Sequence, residues 1–230
     1  MAMNGIFQYF LVFASLALLD KPGRYNLIFA VLLAAFATFS FGNGMFAFLL
    51  GYIFIFTDTK ISKRKVVVWT ISTVVCVILY FIDYETVAHH PPKSLALQDP
   101  VNVLKFFIAF FSNPFKELTY RSNAMALLLG AGVLATFLFA LWQNRSIIFK
   151  KRLAISYMLF VLMSAGAAAI SRFTFGLQTA ISNRYLLLPL LFVVVLYAFM
   201  LNNKNKPAQT PIFFLLLFSA IFFTMNTRTG

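Results

Sequence analysis

The chain has 230 residues, 61% hydrophobic and 18% aromatic with only 11% charged, more apolar surface than a water-soluble domain of this size can hide. Nineteen Lys and Arg against six Asp and Glu give a formal charge of +13. The cations sit in short stretches between apolar runs, as connectors beside anionic lipid do, and not on one face of a folded module, which argues against nucleic acid as the partner.

Eight apolar runs follow one another at residues 6–19, 27–41, 45–57, 66–82, 124–142, 153–170, 186–201 and 212–225. A crossing helix needs about 20 residues, fewer when flanking residues contribute. The pattern predicts an all-α, polytopic transmembrane helix bundle of about eight spans, one membrane domain over residues 1–230. The first run has no basic segment before it and no small-residue cleavage pattern ahead of Asp20-Lys21-Pro22, so it reads as a retained helix.

Residues 27–57 form one long apolar stretch broken by Phe41-Gly42-Asn43-Gly44. As a single helix it would reach about 46 Å, beyond a hydrocarbon core of about 30 Å. A hairpin of two short helices fits better, with Asn43-Gly44 supplying a turn that tolerates positive φ. The one cysteine, Cys76, lies inside the fourth run, which excludes a disulfide framework and a paired-cysteine metal site. A ninth apolar piece, 101–111, carries Lys105 and is closed by Pro114; it reads as an interfacial helix.

Twelve of the basic residues fall in alternate connectors: Lys21 and Arg24; Lys60, Lys63, Arg64 and Lys65; Arg145, Lys150, Lys151 and Arg152; Lys204 and Lys206. Cytoplasmic loops carry this excess, so both termini are expected outside the cytoplasm. Gly130, Gly132, Ala165, Gly166, Ala167, Ala168 and Ala169 are small residues within spans and read as points of close helix approach.

Polar residues collect on the opposite side. Asp83, Glu85, His89 and His90 stand together after the fourth run. Carboxylates and imidazoles of this kind can hold a divalent ion or act as a general base, but the spacing fits no ligand motif such as HExxH, and a solvated loop is the simpler reading. Ser171-Arg172-Phe173 and Asn183-Arg184-Tyr185 frame a short outer loop, and Arg121 follows Ser112-Asn113-Pro114-Phe115. Arginines suit bidentate contact with a lipid phosphate, with Tyr185 beside them; interfacial anchoring by snorkelling is the plainer alternative. No phosphate-binding glycine loop, dinucleotide fingerprint or GxSxG is present, and no charge stands near the middle of any of the eight runs. An ion-coupled pump is disfavoured, and no cofactor or metal is expected.

Phe41-Gly42-Asn43-Gly44, Tyr80-Phe81 with Tyr84, Ser112-Asn113-Pro114-Phe115, Ser171-Arg172-Phe173 and Asn183-Arg184-Tyr185 together resemble a family of uncharacterised bacterial inner-membrane proteins over about residues 27–200. This is the C-terminal half of its longer members. Asn183 stands where serine is more usual, and Phe173 and Phe175 depart from the family's loop. The longer members resemble GT-C glycosyltransferases, which take sugar from a polyprenyl-phosphate donor and keep the catalytic acid in a first outer loop. The resemblance implies a lipid-binding half that acts with a missing N-terminal half or a membrane protein partner. A transporter or flippase and a non-catalytic assembly subunit are the competing expectations.

Overall fold

The computed structural model describes residues 2–58, 62–82, 94–120 and 122–201. Its helices in chain order are α1 (Ala2–Leu19), α2 (Arg24–Ser40), α3 (Phe46–Phe56), α4 (Lys63–Phe81), α5 (Leu95–Gln98), α6 (Pro100–Phe110), α7 (Lys116–Thr119), α8 (Asn123–Gln143), α9 (Arg152–Arg172), α10 (Leu177–Ala180) and α11 (Leu187–Leu201), with short 3-10 turns between several of them. Among the described residues there is no strand, so the chain is all-α there, and long apolar helices suit it to a membrane.

The number of crossings differs from the expected eight. Among the described residues three helical stretches are long and apolar enough: Lys63–Phe81, Asn123–Gln143 and Ile148–Phe175. A fourth arises if Leu177–Tyr185 and Leu187–Leu201, bent by 80°, count together. The other apolar helices have 10–17 residues; α2, at 17 residues, reaches only about 25 Å. The runs at 27–41 and 45–57 were each counted as a span, but the helices they form, α2 and α3, have 17 and 11 residues, and this is why counting greasy runs overshoots. Residues 212–225, Lys60, Lys204 and Lys206 lie outside the described residues.

The chain forms two compact units, residues 1–90 with 149–167, and residues 91–148 with 168–230. In the first, α1 runs antiparallel to α2. Ala30, Ala34 and Ala37 recur one helical turn apart and are fully buried, letting the helices approach closely enough for Ser15 Oγ to donate to the Ala30 carbonyl at 2.7 Å. Trp69 of α4 is fully buried; its indole N–H donates to the Phe48 carbonyl at 2.8 Å, and its ring lies 5.2 Å from that of Phe48. The first half of α9 adds Phe160, packed edge-on against Tyr9, and Tyr157, packed edge-on against Phe13.

Helices α2 and α3 are short, as expected, but the corner between them is built differently. It is a 3-10 turn, Gly42–Met45, and among the described residues only Gly23 and Gly176 have positive φ. Gly44 is needed for space instead: a Cβ there would overlap the backbone of Ala37 and Thr38. Asn43 locks the corner. Gln8 Nε2 donates to Asn43 Oδ1 at 2.6 Å and to the Phe41 carbonyl at 3.2 Å, and Asn43 Nδ2 donates to Ser164 Oγ at 3.1 Å.

The other end of this unit is ionic. Arg152 Nε meets Asp20 Oδ1 at 2.6 Å, its Nη1 donates to Thr57 Oγ1 at 3.2 Å, and its guanidinium stacks over Phe54 at 5.4 Å. Lys65 pairs with Asp58 at 3.1 Å. The α1–α2 connector, the α3–α4 connector and the start of α9 therefore share one end, in agreement with the alternation of basic segments.

In the second unit Asp99 caps α6 by accepting from the Asn102 N–H at 3.2 Å, with Pro100 in the first turn. Phe106 and Ala109 of α6 join Ala126, Ala169, Phe173 and Ala180 in a core. The expected interfacial helix is thus built into the unit, while Val101 and Leu104 on its other side stay exposed. Gly130 of α8 sits against the Ile108 carbonyl with no room for a side chain. Gly132 and Gly166 face open space, so close approach is carried by Gly130, Ala165 and Ala169 and not by every small residue in the spans.

Candidate functional site

The second unit brings three of the polar motifs to one place. After α6 the chain turns through Ser112, whose hydroxyl donates to the Ala109 carbonyl at 2.7 Å, into the 3-10 turn Asn113–Phe115. Asn113 is fully buried. Its amide donates to the carbonyls of Ala180 at 3.1 Å and Ser182 at 2.8 Å, tying this turn to the segment that follows α10. Asn113 Oδ1 has no protein partner. Gly176, with φ of 84°, lets the chain reverse out of the Phe173–Phe175 turn into α10, a conformation that favours glycine.

Two further bonds fasten the same segments. Lys116 Nζ donates to Asn183 Oδ1 at 2.6 Å, and Gln178 Nε2 donates to the Tyr120 carbonyl at 3.2 Å. Arg172, at the C-terminal end of α9, is half-buried. Its Nη1 donates to the Tyr185 hydroxyl oxygen and its guanidinium lies 5.6 Å from the Tyr185 ring centroid. That ring packs at 5.3 Å against Phe110. Arg172 is thus held over an aromatic face, with no carboxylate against it among the described residues. Arg184, one residue before Tyr185, is exposed.

The electrostatic balance is one-sided. Among the described residues the one ion pair in this region joins Lys116 to Glu117 at 3.7 Å, and Arg172 and Arg184 make none. A half-buried guanidinium fixed by a hydroxyl and a ring keeps several of its five donors available, the form suited to phosphate.

Of the residues expected to bind lipid phosphate, Arg172 and Tyr185 are in direct contact, Arg184 adjoins them in sequence, and Arg121 lies outside the described residues. Asp83, Glu85, His89 and His90 lie outside them as well. Among the described residues no group of three or more His, Cys, Asp or Glu could hold a metal ion. Lys116 and Asn113 belong to the site more closely than the sequence indicates. A carboxamide between two phenylalanine-rich segments was the available sign for Asn113; Lys116 carried none. No protein-family model matches the chain, and neither a curated protein nor a solved structure does.

Proposed function

We propose that this chain is a multi-pass inner-membrane component of lipid-linked sugar handling in cell-envelope glycan synthesis, in which Arg172, Arg184 and Lys116 engage the phosphate of a polyprenyl-phosphate lipid on the non-cytoplasmic side. The observation that carries the reading is the convergence of the Asn113, Arg172 and Tyr185 segments into one assembly in which Arg172 has no carboxylate against it among the described residues. Arg152 and Arg172 bound one helix of 21 residues, about 30 Å long. With the Arg152 end cytoplasmic, as the basic connectors favour, the Arg172 end lies at the opposite surface. In this reading the chain supplies lipid binding, and a GT-C-like partner or N-terminal half supplies catalysis.

A transporter would need a polar route through the helices. The intramembrane hydroxyls work against it: Thr38 and Thr73 donate back to the carbonyls of Ala34 and Trp69 at 2.8 Å, and Thr70 is bonded to Tyr52 at 3.0 Å. Hydroxyls satisfied within or between neighbouring helices offer a solute little.

Polyprenyl-phosphate binding to the purified protein in lipid nanodiscs tests the proposal. Arg172→Ala should weaken binding by about tenfold or more, the scale of a lost charge-assisted contact. Arg184→Ala should weaken it less. Unchanged affinity in both variants removes the claim.

A further inference from the structure

The first unit holds a basic cluster of its own. Between the N-terminal ends of α2 and α4 lies a cleft of about 230 Å³. Arg24, Arg64 and Lys65 line it together with Leu27, Ile28 and Val68. Lys65 is partly neutralised by Asp58, whereas Arg24 and Arg64 are exposed and make no ion pair among the described residues.

Helix electrostatics sharpen the point. The start of a helix is its positive end, where acidic residues are favourable and basic ones are not. Neither α2 nor α4 has an acid in its first turn, and α4 opens on Lys63-Arg64-Lys65. Gly23, which precedes α2, offers no side-chain cap, so the first amides of that helix still lack an acceptor. The uncapped start of α2 and two guanidiniums without an ion pair among the described residues thus meet at one cleft, while the start of α4 is capped by Ser62, which accepts from the Lys65 N–H. An anion placed there would engage the free amides of α2 and both guanidiniums.

What identifies the anion is the rest of the lining. Leu27, Ile28 and Val68 form an apolar floor, and the flanks of α2 and α4 continue it at helical spacing with Ile28, Leu32, Ile71 and Val75, all exposed. A free phosphate gains nothing from that floor, whereas a phospholipid matches both halves. The cleft is too small to enclose a lipid but has room for its phosphate, with the acyl chain along the exposed flank. We infer that this cleft is a specific site for an anionic phospholipid, with Arg24 and Arg64 on the phosphate and Leu27, Ile28 and Val68 against the start of a chain.

The test is thermal unfolding of the purified protein in neutral detergent, titrated with dioctanoyl phosphatidylglycerol, dioctanoyl phosphatidylcholine or inorganic phosphate. Phosphatidylglycerol should raise the wild-type melting temperature saturably, and the other two should not. Arg24→Gln/Arg64→Gln should weaken that response by about tenfold or more. Arg145→Gln/Lys150→Gln, which removes the same charge elsewhere, should respond like wild type. If the doubly substituted variant starts from a lower melting temperature, Arg24→Gln and Arg64→Gln are titrated singly, and each should still bind more weakly. The inference is overturned if the substituted cleft responds as wild type does, if the control loses the response equally, or if phosphate or phosphatidylcholine stabilises as well as phosphatidylglycerol.

Discussion

Asn113 and Asn43 perform the same task in the two units, each a carboxamide in an otherwise apolar wall that joins stretches far apart in sequence. In a low-dielectric interior such a group is stabilising while its partners are present and costly once they are left unpaired. Asn113→Leu keeps the volume and removes the donors, stranding the Ala180 and Ser182 carbonyls; the expected loss is about 1–3 kcal/mol, read as a lower melting temperature in detergent. Asn113→Asp places acceptors against those carbonyls at nearly unchanged size and should cost more at neutral pH. Equal stability of both variants with wild type would mean that the turn is held by its phenylalanines alone. The polar motifs were legible as candidates because polar residues stand out against so apolar a chain. Their meeting was not legible, because Asn113 and Ser182 are separated by 69 positions and no local pattern encodes the pair. Arg152 and Asp20, 132 positions apart, escaped for the same reason: in the sequence Arg152 is one more cation in a basic connector.

Helices were legible where apolar runs and ends coincide. Helix α4 starts behind Ser62, which accepts from the Lys65 N–H, α8 starts behind Ser122, which accepts from the Met125 N–H, and both are long enough to cross. The corner after Ser40 was legible too, because Gly42-Asn43-Gly44 breaks the apolar stretch, but its 3-10 geometry was not, since a glycine-asparagine pair is equally compatible with a positive-φ turn. Small residues show the same limit, because composition marks a glycine without saying whether a neighbour needs its emptiness. At Gly130 the α6 backbone is in the way of any side chain, so Gly130→Ala should separate α6 from α8 at a cost of about 1–3 kcal/mol. At Gly132, two residues on, nothing stands in the space, and Gly132→Ala should be neutral or stabilising by up to about 1 kcal/mol through helix propensity. Melting temperatures of the two variants side by side decide it, and equal behaviour would refute the assigned packing of α6 on α8.

For the molecule as a whole, the large exposed apolar surface and the ionic ends call for the same environment. Phe29, Phe36, Ile71, Ile78, Leu128 and Leu138 are among the many large apolar side chains left exposed, a pattern costly in water and natural in hydrocarbon. Only 11% of the best window of α4 and 22% of that of α8 is buried within the protein, leaving most of each surface for lipid. To cross, the short helices α2 and α3, of 17 and 11 residues, would need the bilayer to thin or the flanking Lys and Arg to snorkel. The ionic end of the first unit makes the proposed topology testable. Arg152 reaches both Asp20 and Thr57, so the proposal predicts that the connectors near Lys21, Lys63 and Lys150 share one face of the membrane. With Cys76 replaced by alanine, single cysteines at those three positions should all be blocked by an impermeant maleimide from the cytoplasmic side. Under the proposed topology, in which α9 crosses between Arg152 and Arg172, Arg184→Cys should be blocked only from the other side. Labelling of Lys63→Cys and Lys150→Cys from opposite faces would break the Arg152 clasp as a membrane-side marker, and the lipid sites assigned to both surfaces would lose their footing with it.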